Sequence, residues 1–193
     1  MTARVASGRA VTPRLVRMVN DKELPAVEAP LLDIPPEFLA SVRGGMNAVV
    51  NGDHGTGKSS LASELARALS DAGERAVVLP DPLRESCEGH RRSPRADELP
   101  RLAHEQSLRM AAAAALHDIV VADTTALMIA VHNEQVHGDR GLYSSALGAQ
   151  AACDLTLLTA LDLPFEDAEA RMRESVDALL RAALRRASVA YSV

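Results

Sequence analysis

Glycines, a lysine and a hydroxyl recur at a spacing that suits phosphate chemistry in Gly52-Asp53-His54-Gly55-Thr56-Gly57-Lys58-Ser59, which fits G-x-x-x-x-G-K-[ST]. Glycines let the backbone wrap a phosphate so that successive N–H groups point inward. Lys58 can then reach the β- and γ-phosphates, and the Ser59 hydroxyl can sit on Mg²⁺. Lys22 and Lys58 are the only two lysines of the chain, so a chance match has a frequency on the order of one in a thousand. The candidate nucleotide-binding set is Gly52, Asp53, His54, Gly55, Thr56, Gly57, Lys58, Ser59 and Ser60.

Two acids follow at the ends of apolar runs. Asp123 closes Ile119-Val120-Val121-Ala122, the pattern of a carboxylate that holds Mg²⁺ opposite the loop hydroxyl, and it can equally cap the next helix. Thr124, beside it, is a candidate substrate contact, and Thr124 or Thr125 can supply the cap instead. Asp81 follows Val77-Val78-Leu79-Pro80, where a carboxylate can accept the proton of an acceptor hydroxyl or serve as a solvated turn residue before Pro82. Arg84 and Glu85 can contact substrate or pair with each other at the surface. Arg171 and Arg173, after Pro164-Phe165-Glu166-Asp167, are candidates for a lid that closes over the transferring phosphoryl, Arg171 first. The six histidines show no metal-ligand spacing.

The elements that must position these groups read as alternating strands and helices. Strands are expected at 46–51, 75–80, 119–122, 155–158 and 189–193. Helices are expected from Lys58 to about Ala72, over 100–116, 126–136 and 144–151, and from about Phe165 to Arg186. Residues 85–100 read as a polar loop. Such alternation implies crossover connections, hence a three-layer α/β/α sandwich of about five parallel strands with helices on both faces. Ligands then bind beyond the carboxyl ends of the strands, where the loop, Asp81 and Asp123 converge.

Composition narrows the class. Residues 45–193 read as one domain, and residues 1–44, with four arginines and no acid in the first twenty positions and then four prolines, as a poorly ordered extension with at most a short helix near 36–42. A hydrophobic content of 47% with only 2% aromatics makes the core one of Ala, Leu and Val. A net charge of −5 argues against a general nucleic-acid binder. Two isolated cysteines make a reducing cytoplasm the default, and no apolar run approaches the ~20 residues of a membrane span.

The ordered series of motifs resembles the nicotinamide riboside kinase domain of NadR-type NAD-biosynthesis proteins and the small P-loop ATPases grouped with them. The resemblance rests on the loop at 52–59, Asp81-Pro82-Leu83-Arg84-Glu85 with Asp in place of the usual Glu, and Gln106 on a helix before Asp123-Thr124. It continues through Asp154-Leu155-Thr156-Leu157-Leu158 to Leu163-Pro164-Phe165 and Arg171, and so spans about residues 46–193. It implies ATP and Mg²⁺ as cofactors and transfer of the γ-phosphate to a hydroxyl of nicotinamide riboside or a related small acceptor. In the implied roles Lys58 and the loop amides hold phosphate, Ser59 and Asp123 hold Mg²⁺, Asp81 takes the acceptor hydroxyl and Arg171 the transition-state charge. The implied partners are ATP and that small substrate, with neither nucleic acid nor membrane, and self-association is left open. Three departures stand against the family pattern: Thr125 where a second acid is frequent, Asp167-Ala168-Glu169 where Asp-Gly is common, and an end at Val193 where a loop covering adenine is expected. They keep a second class in play, a nucleotide-binding regulatory module or ATPase that acts on a protein partner.

Overall fold

The computed structural model describes residues 38–39, 42, 44–53, 55–161 and 167–193, with the backbone alone for 167–170. Four parallel strands form the sheet: β1 (Met46–Asn51), β2 (Ala76–Leu79), β3 (Ile119–Asp123) and β4 (Leu155–Leu158), in the order β2-β3-β1-β4. Met46 pairs with Ile119 and Val50 with Asp123, while Val50 also sits opposite Leu157, so the C-terminal ends of the inner strands lie level. The chain leaves β1 toward β2 on one side, and β3 returns to β4 on the other. The crevice beyond β1 and β3 is therefore the switch point at which such sheets bind ligands.

Alternation along the strands sends side chains to two layers. Ala48, Val50, Ile119, Val121 and Leu157 face α1 (Lys58–Asp71), which buries Leu61, Ala62, Leu65, Ala66 and Leu69 at helical spacing. Phe38 and Leu39, both helical, and Val42 pack on this same layer; the rest of the expected 36–42 helix, like most of residues 1–44, lies outside the described residues. The opposite layer holds α3 (Leu99–Ala114), α4 (Ala126–His137), α5 (Tyr143–Ala151) and α6 (Asp167–Arg186). Here α4 is surrounded by α3, α5 and α6, so residues 126–131 are all buried and show no amphipathic stripe.

Two expectations need correction. Residues 85–100 are not all loop, because α2 (Pro82–His90) starts directly after Asp81. Asp81 Oδ1 accepts from the amides of Leu83 at 2.9 Å and Arg84 at 3.4 Å, and Pro82 supplies a preset φ in the first turn. An Asp-Pro pair that reads as the end of a strand is thus the start of a helix. The fifth strand over 189–193 shrinks to a single parallel bridge, with Leu158 N donating to Ser192 O at 2.8 Å and Ser192 N to Thr156 O at 3.0 Å. Val189, Tyr191 and Val193 pack against the helical core instead, and Arg181 lies 5.6 Å from the Tyr191 ring centroid.

A buried polar network ties the strand ends to the second layer. Thr125, the N-cap of α4, has its Oγ1 3.1 Å from Asn51 Oδ1 and 2.9 Å from Gln150 Oε1 and accepts from Leu127 N. Gln150 Nε2 then donates to Thr156 Oγ1 at 2.9 Å, so β1, β4, α4 and α5 share one set of hydrogen bonds. Asn51, Thr125, Gln150 and Thr156 are all at most 3% exposed, so a lost partner is left without water. Thr125→Val is expected to lower unfolding free energy by about 2 kcal/mol in urea titrations, from the lost cap and the stranded amides. Thr125→Ser should recover most of that loss; an unchanged midpoint for Thr125→Val would show that the network contributes nothing to stability.

Candidate active site

Residues 52–53 and 55–57 fold as a loop because three glycines take backbone angles that L side chains rarely adopt, with φ of 150° at Gly52, 74° at Gly55 and 83° at Gly57. Space is as restrictive as angle at two of them. A Cβ on Gly52 would stand 2.0 Å from Thr159 Oγ1, and one on Gly55 2.8 Å from Arg173 Nη2. Thr56 Oγ1 closes the loop on itself, 2.7 Å from Asp53 O and 2.6 Å from Thr159 Oγ1. The first backbone bond of α1 runs from Leu61 N to Gly57 O at 2.9 Å. The amides of Lys58, Ser59 and Ser60 therefore have no intrahelical acceptor, which makes the helix start a site for an anion. His54 lies outside the described residues.

Lys58 is 4% exposed and donates from Nζ to Asp53 O at 2.9 Å. Burial pulls its pKa below the ordinary lysine value, while the carboxylates of Asp81, Asp123 and Asp53 oppose that and Arg84 adds to it. Ser59 Oγ donates to Asp123 Oδ2 at 2.5 Å, which joins the loop to the end of β3. Burial raises the Asp123 pKa, against the Ser59 hydrogen bond and the Lys58 charge. Asp123 Oδ1 is buried with no hydrogen-bond partner. That orphaned oxygen beside the Ser59 hydroxyl fits a divalent cation, so Ser59 and Asp123 suit the Mg²⁺ role.

The other sequence candidates divide. Asp81, 9% exposed, and Arg84 line the same cavity as Lys58 and Gly52. Thr124 also lines it, in a left-handed conformation with φ 76°, its carbonyl accepting from Gln106 Nε2 at 2.9 Å. Glu85 turns away: exposed on α2, it pairs with Arg109 of α3 at 2.5 Å and does not reach the cavity. Arg171 is exposed on α6, and the arginine that meets the loop is Arg173, 9% exposed and packed over Gly55. Two residues apart on a helix means opposite sides, so of the two arginines Arg173 faces the loop and Arg171 faces solvent. Leu163-Pro164-Phe165 lies outside the described residues.

The cavity, about 450 Å³, continues past Asp81 into a compartment that sequence reasoning missed. Its walls include Leu83, Cys87, Met128, His132, Met172 and Val176. Burial holds the His132 imidazole below its ordinary pKa, with His137 adding to the effect, and its Nε2 is buried without a partner. Met128, His132 and Val136 recur at four-residue spacing along α4, a signal masked by the general apolarity of that helix.

Asp123→Asn separates a metal ligand from a structural acid. The amide keeps an acceptor for Ser59 but removes one of the carboxylate charges that offset the burial of Lys58, so the ligand-free variant should melt below the parent. Its nucleotide affinity should no longer rise on addition of Mg²⁺. A nucleotide affinity that still rises with Mg²⁺ would limit Asp123 to supporting Lys58.

Comparison with known families matches an AAA domain over residues 47–193. No curated protein matches. Among solved structures, thymidylate kinase from Ehrlichia chaffeensis superposes with a TM-score of 0.59 at 17% identity, covering 77% of this chain and 85% of that one. Deoxyadenosine kinase from M. mycoides gives 0.49 at 12% identity, covering 76% and 87%, and thymidylate kinase from Candida albicans 0.46 at 16%, covering 73% and 78%. The first of these establishes a shared α/β phosphate-loop fold. Because the matched segment spans well over half of the chain, with the loop and the helix that bears Arg173, the chain belongs to the AAA domain family.

Proposed function

We propose that the protein is an ATP-dependent kinase of a small hydroxyl compound, with a nicotinamide riboside-like nucleoside as the first acceptor to consider. The observation that carries this reading is the continuity of the cavity: one space runs from Gly52 and Lys58 past Asp81 and Arg84 into an apolar compartment. An ATPase working on a protein surface needs a phosphate site but no apolar cavity continuous with it. The fold shared with thymidylate kinase from Ehrlichia chaffeensis agrees with the reading, as does the NadR-type order of motifs.

In the proposed reaction the loop amides and Lys58 hold the phosphates and orient the γ-phosphoryl toward the cavity. Ser59 and Asp123 would hold Mg²⁺, which when bound neutralises phosphate charge. Asp81 receives the acceptor proton through the oxygen that does not cap α2, or orients that hydroxyl. Arg173, already against Gly55, brings positive charge toward the transferring group. A regulatory module that binds nucleotide without transferring phosphate remains the second reading. The capping role of Asp81 favours it, because Oδ1 already serves Leu83 and Arg84.

An ATP-consumption screen over a nucleoside panel, nicotinamide riboside included, tests the proposal. At least one acceptor should raise turnover above background, and Lys58→Ala should cut that turnover by about 100-fold or more. ATP binding with no responsive acceptor would sink the kinase reading in favour of the regulatory one. Asp81→Asn adds a sharper discrimination, since Asn caps a helix about as well as Asp. Transfer should collapse while ATP affinity and fold persist; full activity in the Asn variant would limit Asp81 to capping.

A further inference from the structure

The first residue beyond β4 meets the phosphate loop from the side. Asn51 pairs with Leu158 at the end of the β1–β4 ladder, and Thr159 N continues it by donating to Asn51 O at 3.0 Å. The sheet therefore fixes where the Thr159 hydroxyl stands, against Gly52, whose missing side chain gives it room. Thr159 Oγ1 lies 2.6 Å from Thr56 Oγ1, and Thr56 Oγ1 lies 2.7 Å from Asp53 O. Asp53 O is also the acceptor of Lys58 Nζ, at 2.9 Å. Thr56 fills a position that the loop pattern leaves open, so Thr159 rather than the motif gives a hydroxyl there its use. Both threonines are buried, at 4% and 8% exposed, so little water competes for their hydroxyls.

Each hydroxyl has one proton to give, and that sets the direction of the bonds. Were Thr56 to donate to Thr159, the Thr159 proton would be left with Asn51 O at 3.5 Å, longer than an ordinary bond of this kind. The alternative uses two bonds of ordinary length: Thr159 donates to Thr56, and Thr56 to Asp53 O. The half-buried Asp53 carbonyl then has both lone pairs engaged, one by this chain of hydroxyls and one by Lys58. A phosphate on the loop draws Lys58 off that carbonyl, which keeps Thr56 as its partner. On the reading that the loop binds nucleotide phosphates, we propose that Thr159 is a positioning residue for them. Its hydroxyl orients and polarises Thr56 toward the Asp53 carbonyl, so that Lys58 can exchange the carbonyl for a phosphate without stranding it. Thr159 touches no ligand in this role; it acts through Thr56.

Calorimetric titration of the full chain with ATP plus Mg²⁺ and with inorganic pyrophosphate tests this, the acceptor screen being run on the same variants. Thr159→Ala should raise both Kd values roughly 3- to 10-fold, the range for one hydrogen bond between neutral groups, and Thr56→Ala by at least as much. Thr159→Ser, which keeps the hydroxyl and drops the methyl, should recover most of the affinity. The double alanine variant should be weaker than Thr56→Ala by no more than about twofold, because Thr159 has lost the residue it acts through. A Thr159→Ala Kd within about twofold of the parent, a serine variant as weak as the alanine, or losses that multiply in the double variant would overturn the assignment. Nucleotide binding that depends on Thr159, with no responsive acceptor, keeps the positioning role and removes the kinase reading. Acceptor phosphorylation with an ATP affinity indifferent to Thr159→Ala does the reverse, and a parent that binds neither ligand overturns both.

Discussion

A nearly buried lysine is the constraint on which the rest of the structure depends. Lys58 is 4% exposed, and burying an unpaired ammonium would cost more than the fold can offset. Three aspartates compensate, each delivered by the end of a different parallel strand: Asp53 after β1, Asp81 after β2 and Asp123 at the end of β3. Parallel order and level registry bring those ends together, so topology sets the local electrostatics. The acids offset part of the cost of burying the ammonium, and the Asp53 carbonyl fixes its position before any phosphate arrives. They also keep it in check, because an incoming anion must compete with carboxylates and with the Asp53 carbonyl for the same ammonium.

Strain collects on the ligand side of this cluster. Gly52 sits at φ 150° against Thr159, and Thr124 holds φ 76° without being glycine. Gln106 donates to the Thr124 carbonyl and Thr124 N donates to Val50 O at 3.0 Å, so hydrogen bonds on both sides fix the unfavourable angle. The relaxed polar network behind it, through Asn51, Thr125 and Gln150, anchors the same two strand ends. Thr125 thus has structural work where the family resemblance suggested an acid. A carboxylate there would introduce a charge against Asn51 Oδ1 and Gln150 Oε1, both within hydrogen-bond distance of the Thr125 hydroxyl.

Much of the architecture was legible because the strands are buried apolar runs and the helices show clear spacing. The loop was legible because its chemistry is local. What could not be read depends on neighbours distant in sequence. Glu85 is drawn off by Arg109, twenty-four positions later, and nothing near Glu85 announces that pairing. Asp81-Pro82 carries both a strand-stop and a helix-start signal, and the chain uses the second. Arg173 was accessible in principle: it stands three and seven residues before the buried Val176 and Leu180, so it shares their face, whereas Arg171 does not. The fifth strand failed as a prediction because its apolar side chains are claimed by the helical layer rather than by the ladder.

The phosphate site and the far compartment depend on one another physically. Apolar walls beside Lys58 lower the local dielectric and strengthen every charge interaction at the loop. The same walls leave an unpaired polar atom, His132 Nε2, with no water to satisfy it. A ligand that fills the cavity would exclude solvent from the charged end. Met172 and Val136, 60% and 54% exposed, stand at this cavity, so such a ligand would also cover apolar surface that now faces water.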